Sequence, residues 1–197
     1  MNHQEERMFK PLIFMISFVL VSCSSISEKT LSSMDEKDRP AWANQEKVVS
    51  IKDGKMLILG FQEVPADAKI SAAFRLSDNS ARTELSKMVD NQFSSIFQNL
   101  EEGLGDDGTM SRFYASEVSK NVLRELKIAS RFWEKVQSFD RDGLKTYRLR
   151  VYTLAEISEA NYKRLVREKV EREKIDPQVK KQVLGHFENE IQSFQSK

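Results

Sequence analysis

Cysteine occurs once, at Cys23, so the chain has no second thiol with which to close an internal disulfide. Histidine is nearly as scarce: of His3 and His186, only His186 lies beyond the N-terminal segment. A histidine-based triad or a multi-histidine metal site therefore lacks its parts. The sequence offers no glycine-rich phosphate cradle and no serine elbow. A surplus of one charge is missing as well, because 31 basic residues face 30 acidic ones and leave a net charge of +1. A general nucleic-acid binder needs a basic excess to displace counterions, and that class is set aside. These absences argue against an enzyme of the histidine, metal or thiol type. They also give no reason to expect a cofactor or a small-molecule substrate.

What the chain does have is enough apolar material for a core. Of its 197 residues, 40% are hydrophobic and 31% charged, a size and balance that suit one folded domain. The N-terminus is laid out as a secretory signal. Arg7 and Lys10 precede an apolar run of 11 residues, Pro11 to Val21, and small residues follow at a cut. Spanning a bilayer as a helix takes roughly 20 residues, so this run is a poor permanent span. Glu5 and Glu6 dilute the positive start. Leu20-Val21-Ser22-Cys23 resembles the bacterial lipobox, in which the cysteine is acylated before a peptidase cuts between Ser22 and Cys23. That chemistry requires a thiol, and the sole cysteine of the chain stands at the required place. Ser24 replaces the aspartate that, in the enterobacterial sorting pattern this resembles, retains lipoproteins in the inner membrane, which favours the outer membrane.

Residues 24–39 are polar, serine-rich and without a period, and read as a flexible tether. Pro40-Ala41-Trp42 ends it. Residues 47–52 and 55–61 flank Asp53-Gly54, the strongest short hairpin signal, since both turn residues tolerate positive φ. Pro65 is placed to open a helix. From Ile70 to Leu100 apolar residues recur three or four apart, which predicts one long amphipathic helix over about 66–101, with a break allowed near Ser77-Asp78-Asn79. Gly103, Gly105 and Gly108 mark a loop, and Met110, Phe113, Tyr114, Val118, Val122 and Leu126 share one side of a second helix.

Residues 131–139 and 144–154 form a second predicted hairpin around Asp142-Gly143, with Tyr147, Leu149 and Val151 on one face and Arg148, Arg150 and Tyr152 on the other. A charged helix follows over 158–174. Asp176-Pro177 starts a last helix whose stripe is Val179, Val183, Phe187, Ile191 and Phe194. The order predicts an α+β fold: two β-hairpins in a small antiparallel sheet, packed by a long helix and further helices, with a C-terminal helical extension. The expected divisions are residues 1–22 as signal peptide, 23–39 as lipidated cysteine and tether, 40–157 as the α+β domain and 158–197 as a C-terminal helical region.

Several local patterns together resemble the small bacterial outer-membrane lipoproteins typified by the twenty-kilodalton antigen of gastric bacteria, a family related to the N-terminal domain of a flagellar assembly protein. The matching residues are Pro40-Ala41-Trp42, the hairpin ending in Leu59-Gly60-Phe61, the helix with Ala81-Arg82-Thr83-Glu84-Leu85, and Trp133 ahead of Asp142-Gly143 and the strand from Tyr147 to Tyr152. The likeness covers roughly residues 40–170, and the last helix is an addition to it. It implies a small α+β domain, a lipid anchor and an envelope or flagellum-associated role, and it carries no catalytic residues over.

Other motifs have plain readings. Asp140-Arg141-Asp142-Gly143 starts like a calcium loop, but Lys145, Tyr147 and Arg148 stand where later oxygen ligands belong, so a hairpin turn is preferred. Asp106-Asp107 sits in the glycine-rich loop and reads as solvent-facing. His186, beside Phe187, reads as a packing or boundary residue. The interleaved charges of residues 163–174 read as a solvated helix face laced with i,i+4 pairs, and Arg148 and Arg150 as the wet side of a half-covered sheet. The stripe of the last helix fits either core or a seam for a partner helix, with core preferred because a bare stripe invites aggregation. The expectation is a lipid-anchored, non-enzymatic interaction or scaffolding protein of the bacterial envelope, membrane-bound through Cys23 and holding an envelope protein partner. The alternative is an outer-membrane lipoprotein that regulates a cell-wall synthase; an envelope hydrolase ranks below both.

Overall fold

The computed structural model describes residues 28–98 and 109–195. Within them lies a five-stranded antiparallel sheet in the order β1-β4-β5-β3-β2. The strands are β1 (Lys29–Ser33), β2 (Val49–Lys52), β3 (Lys55–Pro65), β4 (Lys127–Phe139) and β5 (Lys145–Ser158). The helices are α1 (Ile70–Gln98), α2 (Thr109–Glu125), α3 (Glu159–Arg172) and α4 (Pro177–Gln195). The expected α+β layering is observed, with both hairpins in place. At the first turn Lys52 pairs with Lys55, and Asp53 and Gly54 take φ of 52° and 69°. This left-handed two-residue turn matches the twist of the strands it joins.

The largest correction falls on the expected tether. Lys29–Ser33 is a fifth strand, pairing with β4 from Lys29 opposite Gln137 to Ser33 opposite Glu134. It buries none of its own side chains and is held by backbone pairing, which leaves no hydrophobic alternation to read. Asp35 and Glu36, at φ of 55° and 54°, then turn the chain back off the edge. Met34, Trp42 and Ala43 come to rest with Phe132, Tyr152 and Leu59 on the face of the sheet away from the helices. That second face, expected to be wet, is therefore partly roofed by the N-terminal segment.

A second correction concerns Pro65. It does not open α1; it ends β3, opposite Arg148. Its neighbour β2 reaches along β3 only to Ile58, so at Pro65 one edge of the strand is free and a missing N–H costs nothing there. The helix starts after a turn, with Ala72 and Ala73 N–H both donating to the Lys69 carbonyl at 3.0 Å. It runs through Ser77-Asp78-Asn79 without a break. Ser77 is fully buried, its hydroxyl 2.5 Å from that of Thr153, and Asp78 accepts from Thr153 at 2.8 Å and from Arg131 at 2.7 and 3.1 Å. The polar residues that suggested a break are satisfied by the sheet instead.

The buried side chains of α1 grow along its length, and this shapes the core. Ala73, Ser77 and Ala81 come first, then Leu85, Met88, Val89, Phe93, Ile96 and Phe97. At the small end the helix lies directly on β3: a Cβ on Gly60 would stand 2.1 Å from the Ser77 carbonyl oxygen. At the large end α2, α3 and α4 fill the space. Met56, Ile58, Phe93, Tyr114, Tyr162, Val183 and Phe187 belong to one cluster, so the C-terminal helices share the core of the sheet. Ser158 caps α3 by accepting from the Asn161 N–H, and Asp176 caps α4 by accepting from the Gln178 N–H at 2.7 Å. The stripe of α4 is core: Val183, Phe187 and Ile191 are at most 1% exposed.

Candidate functional site

The residues expected to carry the lipid and the cut, Ser22 and Cys23, lie outside the described residues, as do Asp106 and Asp107. Among the described residues no helix is long and apolar enough to cross a membrane, and no group of three or more His, Cys, Asp or Glu side chains is placed to hold a metal. Asp140 is occupied within its own turn, where one carboxylate oxygen accepts from the N–H groups of Asp142 and Leu144 at 3.0 and 2.9 Å. Gly143 takes a φ of 76° there. The calcium-like motif is thus a hairpin turn, with the loop spanning residues 140–144, one residue longer than expected, since Phe139 pairs with Lys145. His186 is half-buried on α4. The charged run on α3 is laced as expected, with Arg164–Glu168 at 2.8 Å and Lys169–Glu173 at 2.6 Å, and it also reaches Glu188 of α4 from Lys163 and Arg167 at 3.3 Å each.

Two concavities bring polar groups together. The first is a groove of about 690 Å³ between the start of β2, the middle of α1 and the end of α4. Val48, Val49, Met88 and Phe194 give it an apolar floor, and Lys47, Glu84, Lys87 and Glu190 a rim of both signs. It exists because β2 is short and α1 runs on past it. Gln92 lines the groove and is only 4% exposed. Its carbonyl oxygen accepts from the buried Tyr162 hydroxyl, while its amide nitrogen has no hydrogen-bond partner among the described residues. A buried donor without an acceptor costs about 1–3 kcal/mol. Burial pushes the Tyr162 hydroxyl far above its ordinary range, so it stays a donor to Gln92 and cannot serve as a base. The groove holds no nucleophile–base pair. Its Lys87 is paired with Glu84 at 2.8 Å, and what it offers is apolar contact plus one amide donor.

The second is a polar cleft of about 550 Å³ between β1, the turn that follows it and β4. At its base Glu134, 2% exposed, is ion-paired with Arg39 and accepts from the Tyr152 hydroxyl at 3.1 Å. The Arg39 guanidinium also lies 5.4 Å from the centre of the Tyr152 ring. Burial, reinforced by the Glu134 charge, pushes the Tyr152 hydroxyl up to about 12. Beside this cluster Arg150 is held by Glu28 at 2.6 Å and Glu63 at 2.7 Å. Hydrogen bonds from Arg150 hold the Glu28 carboxyl below its usual range. Glu134 is matched by Arg39 while Glu28 and Glu63 share Arg150, so the cluster fastens the N-terminal segment to the sheet. The expectation that Arg150 is simply wet is corrected: its side chain is 20% exposed and spoken for.

The Arg39–Glu134 pair was missed in the sequence, although a signal was present. Phe132, Glu134 and Val136 alternate on one face of β4, and a carboxylate between two apolar residues on such a face needs a cation. The cation comes from Arg39, 95 residues away. The Gln92–Tyr162 pair left no comparable trace. No family model, curated protein or solved structure matches this chain.

Proposed function

We propose that this protein is a bacterial envelope lipoprotein, cut between Ser22 and Cys23, carrying lipid on Cys23 and acting without catalysis as an interaction or scaffolding module on the outer membrane. The observation that carries the reading is a coincidence in the sequence: a charged start, an 11-residue apolar run, the small Ser22 and the sole cysteine fall in lipobox order. The groove supports a binding role over a chemical one. An apolar floor, a rim of both signs and a buried amide lacking an acceptor suit a polypeptide segment that presents a carbonyl oxygen. The resemblance to the small outer-membrane lipoproteins belongs to this proposal and points the same way. Regulation of a cell-wall synthase is the weaker alternative, because Glu28 is already fastened to the sheet through Arg150. The five residues from Cys23 to that point reach at most about 16–18 Å, short for crossing a periplasm.

Intact mass of the membrane-extracted protein tests the anchor: it should show diacylglyceryl on Cys23 and loss of residues 1–22. A Cys23→Ser form that still matures at that site and remains in the membrane fraction overturns it. In-cell crosslinking tests the groove. A captured envelope protein should be lost in Val48→Glu, whose side chain is already 41% exposed, while the melting temperature stays unchanged.

A further inference from the structure

Three of the large apolar side chains that the fold leaves exposed gather at one end of the molecule. Phe139 is 37% exposed, Leu144 65% and Tyr147 48%. Phe139 pairs with Lys145 and Gln137 with Tyr147, so Phe139 and Tyr147 are diagonal neighbours on one face of the β4–β5 hairpin, and Leu144 caps its loop. The core on that face stops short of them: Ala73 and Phe74 of α1 reach Leu149, Val151 and Trp133 and go no further along the hairpin. Among the described residues, none covers the apolar surface of the tip.

The chain enters the fold at this same end. Lys29, the first residue of β1, stands opposite Gln137, which in turn stands opposite Tyr147. Since β1 runs antiparallel to β4, Lys29 is the β1 residue whose row lies nearest the tip. Lys29 is six steps along the chain from Cys23, a reach of at most about 20–22 Å. The opposite end, at Asp53-Gly54, is ten residues away along β3 from the row of Pro65 and Arg148, or roughly 33 Å. Any surface to which Cys23 is fastened therefore meets the hairpin tip long before it meets the other end. The tip carries charge as well. Arg141, Lys145 and Arg148 stand beside Asp140, Asp142 and Glu63, with Arg148 3.9 Å from Glu63, so the tip carries both signs in equal number. Aromatic and leucine side chains flanked by Lys and Arg suit a bilayer surface, the rings at headgroup level and the cations within reach of the phosphates.

We propose that the β4–β5 hairpin tip, through Phe139, Leu144 and Tyr147 with Arg141 and Lys145, rests in the surface of the bilayer that holds the lipid of Cys23. This rests on the anchor proposed above. It sets the long axis of the sheet upright and presents the groove beside Val48, at the far end of β3, away from the membrane. A lipid surface is favoured over a protein partner because the anchor delivers this end to a bilayer within the length of a few residues.

The test uses the mature acylated protein in vesicles of phosphatidylethanolamine and phosphatidylglycerol. Acylation blocks Cys23, so Leu144→Cys supplies a single thiol for an environment-sensitive fluorophore, and Lys52→Cys, exposed beside the far turn, supplies the control. Emission from position 144 should shift to the blue and be quenched by lipids brominated near the headgroup, while position 52 stays as in water. Arg141→Glu with Lys145→Glu should lower the docking equilibrium on these vesicles roughly five-fold for each basic charge removed, and much less on phosphatidylcholine alone. Water-like emission at both positions overturns the proposal. A blue shift at position 144 that appears without vesicles and with self-association also overturns it, making the tip a contact between copies. Intact mass reads the anchor separately: an unacylated Cys23 defeats the anchor and this proposal with it, whereas an acylated Cys23 with water-like emission at position 144 defeats the tip alone.

Discussion

Replacing Phe187 with alanine tests whether the C-terminal helix is structural. The side chain is 1% exposed and its ring centre lies 5.6 Å from that of Tyr162, the other large ring at the α3–α4 contact. Cutting back to Cβ removes roughly 150 Å² of apolar surface, worth about 4 kcal/mol at ~25 cal/mol per Å². Loss of the ring pair adds about 0.5–1.5 kcal/mol, and partial collapse of the cavity returns some of that. The expected cost is about 3–5 kcal/mol, read as a lower urea midpoint at unchanged slope. For a chain of this length it corresponds to a fall in Tm of roughly 6–20 °C. Leu76→Ala on α1, where the side chain is 48% exposed, is the control and should stay within about 0.5 kcal/mol. A Phe187→Ala protein within about 1 kcal/mol of the parent, or a chain ending at Ile175 with full stability, would refute the shared core.

Other outcomes follow from the same contacts. Gly60→Ala would place a Cβ 2.1 Å from the Ser77 carbonyl and 2.7 Å from the Ala81 nitrogen, both backbone. Its free energy of unfolding should fall by about 3 kcal/mol or more, read as a lower urea midpoint, because α1 must lift off β3. Glu134→Gln removes the partner of Arg39 and should cost about 1–3 kcal/mol, with faster proteolysis near residues 29–44 as the readout specific to the N-terminal segment. For Asp78, burial works to raise the carboxyl, but hydrogen bonds from Arg131 and Thr153 and the Arg131 charge prevail and hold it below 3.8. A depressed folded value contributes stability that is complete above the unfolded value and is lost as pH falls through the folded one. Urea midpoints of the parent should therefore drop below about pH 4, and Asp78→Asn should flatten that drop; an unaltered acid limb would refute the assignment. Burial holds the Tyr114 and Tyr152 hydroxyls up to about 12, so both should resist ionisation near pH 10 in an absorbance titration until the chain unfolds.

How much of this was legible depended on whether the determining interaction was local. The Asp53-Gly54 turn, the stripe of α1, the Asp176 cap and the i,i+4 pairs of α3 all lie within a few residues of their causes, and the structure has them. Residues 29–33 failed for the opposite reason. A strand held only by its backbone to a partner about a hundred residues away has no side-chain period, and its polar composition looks like linker. Pro65 misled because one proline suits a helix start and a free strand edge equally well, and only the short reach of β2 decides between them. The polar residues Ser77 and Asp78 looked like an interruption until Thr153 and Arg131 of the sheet were beside them.

The sequence by itself determined the periods, the turns and the class of fold, because these are set by spacing along one chain. It also carries the whole case for the lipid at Cys23, since a peptidase and an acyl transferase read a linear signal. The tertiary structure decided what is shared between distant segments. It joined the C-terminal helices to the core of the sheet, roofed the second face with residues 34–44, and tied Glu134 to Arg39 and Gln92 to Tyr162. It alone set the entry of the chain in the row of Gln137 and Tyr147, beside the exposed hairpin tip. Burial and charge pairing are properties of neighbours in space, and those neighbours exist only once the strands are in register.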